Sequence, residues 1–408
     1  MATAFDLDLG ISQDATYSIA GKSIKFDSVE DIEPFLKQMD AYATLKKIDF
    51  SGNTIGVEAS KALAESIEKA KDSLVDVNFA DFFTGRLKDE IPRSLEYILP
   101  ALLKCPYLRV LNLSDNAFGL QTIDPIESFL ERVVALEHLI LSNNGMGPFA
   151  GARIGKALYK LAAAKAKDSK APQSLKTFYC GRNRLENGSV NYLAIGLKAH
   201  KGLESIRLYQ NGIRPAGIYK LFDQGLKYNK FLKVVDLQDN TFTTQGSLAL
   251  AAALESWTEL VELNLNDCLL KPKGSLAVVK AFAESGSKPN LTTLKLQYNE
   301  LDEESLPLLV EVVKSRLPNL KILELNGNKF AEDTDEIDSI TAIFEERGFG
   351  ELDELDELEE PDSDEEDEDE SEEEDEQDDG VILEDLEKEL KQDKDVEKLV
   401  LELEETHM

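Results

Sequence analysis

Histidine is nearly missing from this 408-residue chain, which holds only His138, His200 and His407. Proton transfer near neutral pH and nitrogen ligation of transition metals both draw on histidine first. Here one histidine falls inside an apolar phrase, one follows a helical stretch and one closes the chain, so no shared site is expected. Cysteine is as scarce: Cys105, Cys180 and Cys268 are odd in number and form no Cys-x-x-Cys pair, which excludes a disulfide framework and a thiolate metal clamp. There is no His-Glu-x-x-His helix and no Walker phosphate loop. The run Gly145-Met146-Gly147-Pro148-Phe149-Ala150-Gly151 is glycine-rich, yet it stands where a turn into a helix calls for Gly and Pro. Missing too are an apolar run of transmembrane length and a signal peptide, and Met1-Ala2-Thr3-Ala4-Phe5-Asp6 has acid early and no arginine, unlike a mitochondrial leader. A reducing intracellular compartment, the cytosol, is the expected address, with no membrane partner and no cofactor or metal of its own.

Basic charge is also short, 45 Lys and Arg against 79 Asp and Glu, for a net charge of −34. Residues 351–379 hold 22 acidic side chains among 29 positions and no basic one, and 380–408 add a further −6. The body before them is left only mildly acidic. A nucleic acid partner is excluded, because phosphate binding needs a basic stripe and counterion release. Residues 351–379 cannot collapse into a core and are expected to be a disordered acidic tail.

What is abundant is one phrase, L-x-x-L-x-L-x-x-N. It is clearest in Leu108-Leu111-Leu113-Asn116, Leu136-Leu139-Leu141-Asn144 and Leu320-Leu323-Leu325-Asn328, and variant copies end at Asn53, Phe82, Asn183, Asn211, Asn240, Cys268 and Asn299. This is a leucine-rich repeat array. Spacings of mostly 28 to 31 residues leave room for a strand, a turn and a full helix in each copy. The expected fold is α/β: a ribonuclease-inhibitor-like horseshoe of about ten to eleven βα repeats with a parallel sheet on its concave face. The leucines point inward at period two, and the Asn turns its amide into the backbone between coils. Cys268 fills that slot as a small buried group. Small residues in Gly151–Leu158 and Leu248–Leu254 predict helices packed closely behind the strands. The domain reading is 1–350 for the repeats, with caps at Tyr17–Leu36 and Ile337–Phe349, then 351–379 and an amphipathic segment, 380–408.

Three places break the rhythm. Between Phe82 and Asn116 the interval stretches to 34 residues, and Phe82-Phe83-Thr84-Gly85-Arg86-Leu87-Lys88-Asp89-Glu90-Ile91-Pro92 reads as a strand-end loop displaying Arg86 and Lys88. In Ser142-Asn143-Asn144-Gly145 the count from Leu141 makes Asn144 the buried amide. Asn143 is the extra one, either a turn former or a group presented to a partner. The 39 residues from Asn144 to Asn183 predict a longer helix with a surface insertion.

At these residues the chain resembles the GTPase-activating proteins of Ran: F-T-G-R-x-K-D-E-I-P (Phe83–Pro92), L-S-D-N-A-F-G (Leu113–Gly119), N-N-G-M-G-P (Asn143–Pro148), C-G-R-N-R-L-E-N-G-S (Cys180–Ser189) and Q-N-G-I-R-P (Gln210–Pro215). The likeness continues through L-Q-D-N-T-F-T, L-N-D-C-L-L and L-E-L-N-G-N and covers nearly the whole repeat body. Without the terminal domains of animal and plant members, the chain is similar to the short, fungal-type form. The resemblance implies a monomer that binds Ran in its GTP state, alone or with a Ran-binding protein and transport receptor complexes, and speeds hydrolysis in the cytoplasm or at the cytoplasmic side of the nuclear envelope. It implies a regulator, since the bond breaks in Ran, which holds the GTP and Mg²⁺. The family is understood to work without an arginine finger. Asn143 matches the Asn that fixes Ran's own catalytic Gln, while Arg86 and Lys88 match residues supporting the loop and the docking surface. Arg182 and Arg184 either contact Ran or brace the neighbouring loop. The alternative reading is a non-catalytic binding module of the ribonuclease-inhibitor type. Residues 380–408, with Ile382, Leu383, Leu386 and Leu390 on one helical face, read equally as a docking helix or an export signal.

Overall fold

Alternating leucines make each phrase a short strand, because they bury one face of it while the residues between them line the other. The computed structural model describes residues 7–359, and the chain divides in sequence between Ile213 and Arg214 into two compact units. The first unit opens with β1 (Thr16–Ser18), β2 (Lys25–Phe26), α1 (Val29–Asp40), β3 (Lys47–Asp49), β4 (Thr54–Ile55), α2 (Val57–Lys69) and β5 (Asp76–Asn78). It continues through α3 (Glu90–Leu103), β6 (Val110–Asn112), α4 (Ile123–Leu130), β7 (His138–Ile140), α5 (Gly147–Lys167), β8 (Thr177–Tyr179), α6 (Glu186–Ala199) and β9 (Ser205–Arg207). The second unit holds α7 (Pro215–Lys220), β10 (Val234–Asp236), α8 (Thr243–Leu254), β11 (Glu262–Asn264), α9 (Pro272–Glu284), β12 (Thr293–Lys295), α10 (Leu306–Ser315), β13 (Ile322–Glu324), α11 (Asp335–Arg347) and β14 (Glu351–Leu352).

In the first unit β1, β3, β5, β6, β7, β8 and β9 pair in that order, and β2 pairs separately with β4. The register never slips: Leu111 pairs with Leu139, Leu139 with Phe178 and Phe178 with Ile206, all in parallel. The second unit repeats the design from β10 to β14, with Val235, Leu263, Leu294, Leu323 and Leu352 in one row. This is the expected α/β leucine-rich repeat architecture. The boundary expected at 350 falls inside folded chain. Glu351–Leu352 add a strand to β13, and the Asp353 carboxylate then accepts the Leu325 and Asn326 N–H groups at 2.7 and 3.1 Å. Acidic composition does not prevent order where a carboxylate satisfies strand N–H groups that have no further strand to pair with. The remainder of the acidic tail and the 380–408 segment lie outside the described residues.

The asparagine ladder joins successive coils. Asn144 Nδ2 donates to the carbonyls of Leu141 (2.9 Å) and, one coil back, Leu113 (3.0 Å), while its Oδ1 accepts the Asn116 N–H (2.9 Å). Asn183 and Asn211 repeat the pattern. Cys268 fills its slot as expected: it is fully buried, and its Sγ–H reaches the Leu237 carbonyl at 3.3 Å in place of an amide. Phe82 has no amide to offer. Its ring packs against Phe79 and Phe50 at 5.1 and 5.7 Å, while Asn116 Oδ1 accepts the Phe82 N–H and Asn116 Nδ2 donates to the Phe79 carbonyl.

Behind the strands the helices approach as the small residues predict. A Cβ on Gly155 would lie 2.4 Å from the Leu193 nitrogen, and one on Gly196 would lie 2.4 Å from the Gly155 carbonyl oxygen, so α5 and α6 touch backbone to backbone. At the end of the long α5, buried Lys165 donates through Nζ to the carbonyls of Val134 and Leu136, both at 2.6 Å. Burial lowers its pKa to about 7 against the pull of Glu137 and Asp168. The unfolded chain keeps this lysine protonated up to its ordinary value, so between about pH 7 and 10 the unfolded state binds more protons and stability rises with pH. Raising pH from 7 to 9 should stabilise the wild type by about 2 kcal/mol relative to Lys165→Met. Urea unfolding of both proteins at the two pH values measures it, and equal changes in the two would refute the assignment.

Candidate functional site

At the end of each strand the chain must turn sharply so that the ladder residue can point back into the core. The residue just before the ladder position therefore takes a left-handed conformation in coil after coil: φ is 66° at Gly52, 49° at Asp81, 61° at Asp115, 57° at Asn143, 56° at Arg182 and 54° at Gln210. Asn, Asp and Gly tolerate this region best. Backbone bonds keep the row in step, with the N–H groups of Asp115, Asn143 and Arg182 donating to the carbonyls of Ser142, Gly181 and Tyr209 at 2.8 to 2.9 Å. Asn143 thus stands between Asp115 and Arg182 on adjacent coils, although 28 and 39 residues separate them in sequence.

Asn143 is half-buried, and its Nδ2 donates to Asp115 Oδ1 at 2.7 Å. Among the described residues, no donor meets its Oδ1. Asn144, one residue on, is buried in the ladder, so the structure separates the two amides as the count from Leu141 predicts. Arg182 and Arg184 are exposed on either side of ladder residue Asn183, and neither makes an ion pair among the described residues. Arg182 holds the place on its coil that Asn143 holds on the coil before it. Lys88 is likewise exposed. Leu87 and Leu120, in the segments that follow the Phe82 and Asn116 positions, and Phe149, in the first turn of α5, are large apolar groups left facing solvent.

Arg86 is different. The sequence suggests a loop that displays it, but its side chain is only 6% exposed. Glu90, Ile91 and Pro92, read as part of that loop, already belong to α3. The guanidinium turns back toward the N-terminal coils: Nε donates to Thr54 Oγ1 at 2.9 Å, Nη2 to the carbonyls of Phe26 and Thr54 at 3.1 Å each, and Nη1 to the Asp27 carboxylate. That bond from Arg86 holds Asp27 below the usual carboxylate range. Four acceptors converge on one planar fork, which an ammonium could not serve. Arg86→Ala should therefore cost about 2–3 kcal/mol of stability, read as a lower denaturation midpoint. An arginine that acted as a finger would leave the midpoint unchanged.

His138, His200 and the three cysteines are buried. His138 bonds Thr177 Oγ1 through Nδ1 at 2.9 Å, and burial lowers its pKa to about 4. His200, lowered by burial to about 3, accepts the Leu175 N–H at Nδ1 (3.1 Å) and bonds the Leu158 carbonyl from Nε2 (2.9 Å). All three cysteines are buried thiols, with Cys105 and Cys180 pushed up by burial to about 12. No group of three or more potential metal ligands occurs among the described residues, nor does a helix long and apolar enough to cross a membrane. Sequence reading passed over Asp115, which directly holds Asn143. The signal was present: in Leu113-Ser114-Asp115-Asn116 it occupies the same register as Asn143 in Leu141-Ser142-Asn143-Asn144.

A fold of stacked βα coils with a parallel strand and a buried ladder residue in each defines a leucine-rich repeat protein. A model of the Leucine Rich repeat family matches residues 104–120 and 228–251. Over 341 residues the chain is 53% identical to Ran GTPase-activating protein 1 of Saccharomyces cerevisiae, covering 82% of this chain and 83% of that protein. Ran GTPase-activating protein 2 of Caenorhabditis elegans is 43% identical over 216 residues, 52% of this chain and 22% of the relative. The Drosophila melanogaster Ran GTPase-activating protein is 30% identical over 329 residues, 80% of this chain and 54% of the relative. The chain belongs to the family of Ran GTPase-activating proteins.

Proposed function

We propose that this protein stimulates hydrolysis of the GTP bound to Ran by orienting the GTPase's own catalytic Gln with Asn143, without an arginine finger. The observation that carries this reading is the half-buried Asn143, fixed by Asp115 at a strand end beside exposed Arg182, in a chain that is 53% identical to a Ran GTPase-activating protein. GTP hydrolysis in small GTPases needs an oriented water and neutralised phosphate charge more than any new covalent chemistry. A primary amide suits that task, because it donates and accepts at once and can hold another amide in one orientation. The buried fork of Arg86 is committed to Asp27, Phe26 and Thr54 and supports the loop that carries Lys88. The role of Lys88, Arg182 and Arg184 is to contact Ran, and the exposed apolar groups Leu87, Leu120 and Phe149 add area to the same docking surface. The protein is a regulator with no cofactor of its own, Ran holding both GTP and Mg²⁺. It acts as a monomer in the cytoplasm, on Ran alone or in complexes with transport factors.

The test is single-turnover hydrolysis of Ran-bound GTP with catalytic amounts of the full chain. Acceleration on the order of 10³-fold or more is expected, with none for an unrelated small GTPase. A folded protein that binds Ran in its GTP state without acceleration would leave only a binding module.

A further inference from the structure

We infer that Asp115 is a positioning residue for the reaction. It holds the Asn143 amide in one of its two possible orientations, Nδ2 toward Asp115 and Oδ1 away from it. A carboxylate can only accept, so the 2.7 Å bond from Asn143 Nδ2 excludes the flipped amide, in which oxygen would face oxygen. Oδ1 and the second N–H of Nδ2 are then left for a partner. Those two groups match the –NH₂ and carbonyl of a glutamine side chain, donor to acceptor and acceptor to donor. The inference rests on the proposed function and adds to it the group that sets the direction of the amide.

Asp115 is itself anchored. Its backbone N–H donates to the Ser142 carbonyl at 2.9 Å, and its carbonyl accepts from Thr84 Oγ1 at 3.2 Å. Thr84 belongs to the loop that carries Arg86, and its own carbonyl accepts from Thr54 Oγ1 at 3.0 Å, which in turn accepts from Arg86 Nε at 2.9 Å. An unbroken hydrogen-bonded path therefore runs from Asp27 through Arg86, Thr54, Thr84 and Asp115 to Asn143. It gives the buried arginine a physical route to the site that requires no contact with nucleotide.

The test is a double-mutant cycle on Ran-bound GTP hydrolysis, with kcat and KM read separately. Glycine is the deletion of choice at both positions, because φ is 61° at Asp115 and 57° at Asn143, and glycine meets this conformation without strain, as Gly52 does at the equivalent place in its coil. Thermal unfolding of each variant confirms the fold. Asp115→Gly should lower kcat roughly tenfold, the cost of one lost orienting bond, with KM little changed. In the Asn143→Gly background the same substitution should cost nothing further. Asp115→Asn, which tolerates the backbone and keeps an acceptor oxygen, should recover part of the lost kcat. Unchanged kcat in Asp115→Gly, an equal loss in both backgrounds, or an Asp115→Asn as impaired as Asp115→Gly would overturn the inference while leaving the Asn143 reading intact. A wild-type kcat in Asn143→Gly would overturn both.

Discussion

Asn143→Gly should lower the kcat for stimulated hydrolysis of Ran-bound GTP on the order of a hundredfold to a thousandfold and leave the stability of the protein nearly unchanged. Removing one preorganised polar group that acts only as charge develops in the transition state has this magnitude in enzyme active sites, and such a group shows itself in kcat rather than KM. Stability is spared for a local reason. The backbone at 143 is already left-handed, and the side chain gives up only its bond to Asp115. Single-turnover rates at saturating and limiting activator, beside a thermal melt, measure both halves. A loss confined to KM would make Asn143 a docking residue, and the claim that it orients Ran's Gln would fail.

Asn144→Ala, one residue away, should do the opposite. The Asn144 amide serves the carbonyls of Leu113 and Leu141 and the N–H of Asn116, all buried. Alanine would leave the buried Asn116 N–H without its acceptor, at about 1–3 kcal/mol, while the Leu113 and Leu141 carbonyls each lose one of two donors and keep the amides of Asn116 and Asn183. A net loss of about 2–3 kcal/mol is expected, as a lower urea midpoint. Because stability in a repeat stack resides in the interfaces between coils, the loss should reach both neighbours. Amide exchange in β6 and β7 should rise together. Protection lost only at residue 144 would show the ladder to be worth less than its bond count suggests.

The contrast between these two neighbours also shows what each level of description could supply. The L-x-x-L-x-L-x-x-N phrase is local and repeated, so the strands, the buried amides and the long α5 were legible from spacing and residue type. Cys268 in the ladder slot was legible too, because any small group with a weak donor fits there. The extra Asn143 could be counted out of its repeat. Arg86 could not be placed this way. Its partners are Asp27, Phe26 and Thr54, at separations of 32 to 60 residues, and a long side chain beside Gly85 reads as exposed until the coils are stacked. The ordered Glu351–Leu352 strand was hidden in the same manner, since acidic composition outweighs two residues that gain order only by pairing with β13.

The sequence by itself determined that the chain is a leucine-rich repeat protein, where the ladder position of each coil falls, and which family it resembles. These depend on the alternation of apolar and polar residues within a single coil, where side-chain direction follows from position along the strand. Only the tertiary structure decided that Arg86 is an internal brace and that Asp115 grips Asn143. Those facts live between coils, where backbone stacking brings residues 28 or more positions apart into hydrogen-bonding distance, and no single repeat contains both partners.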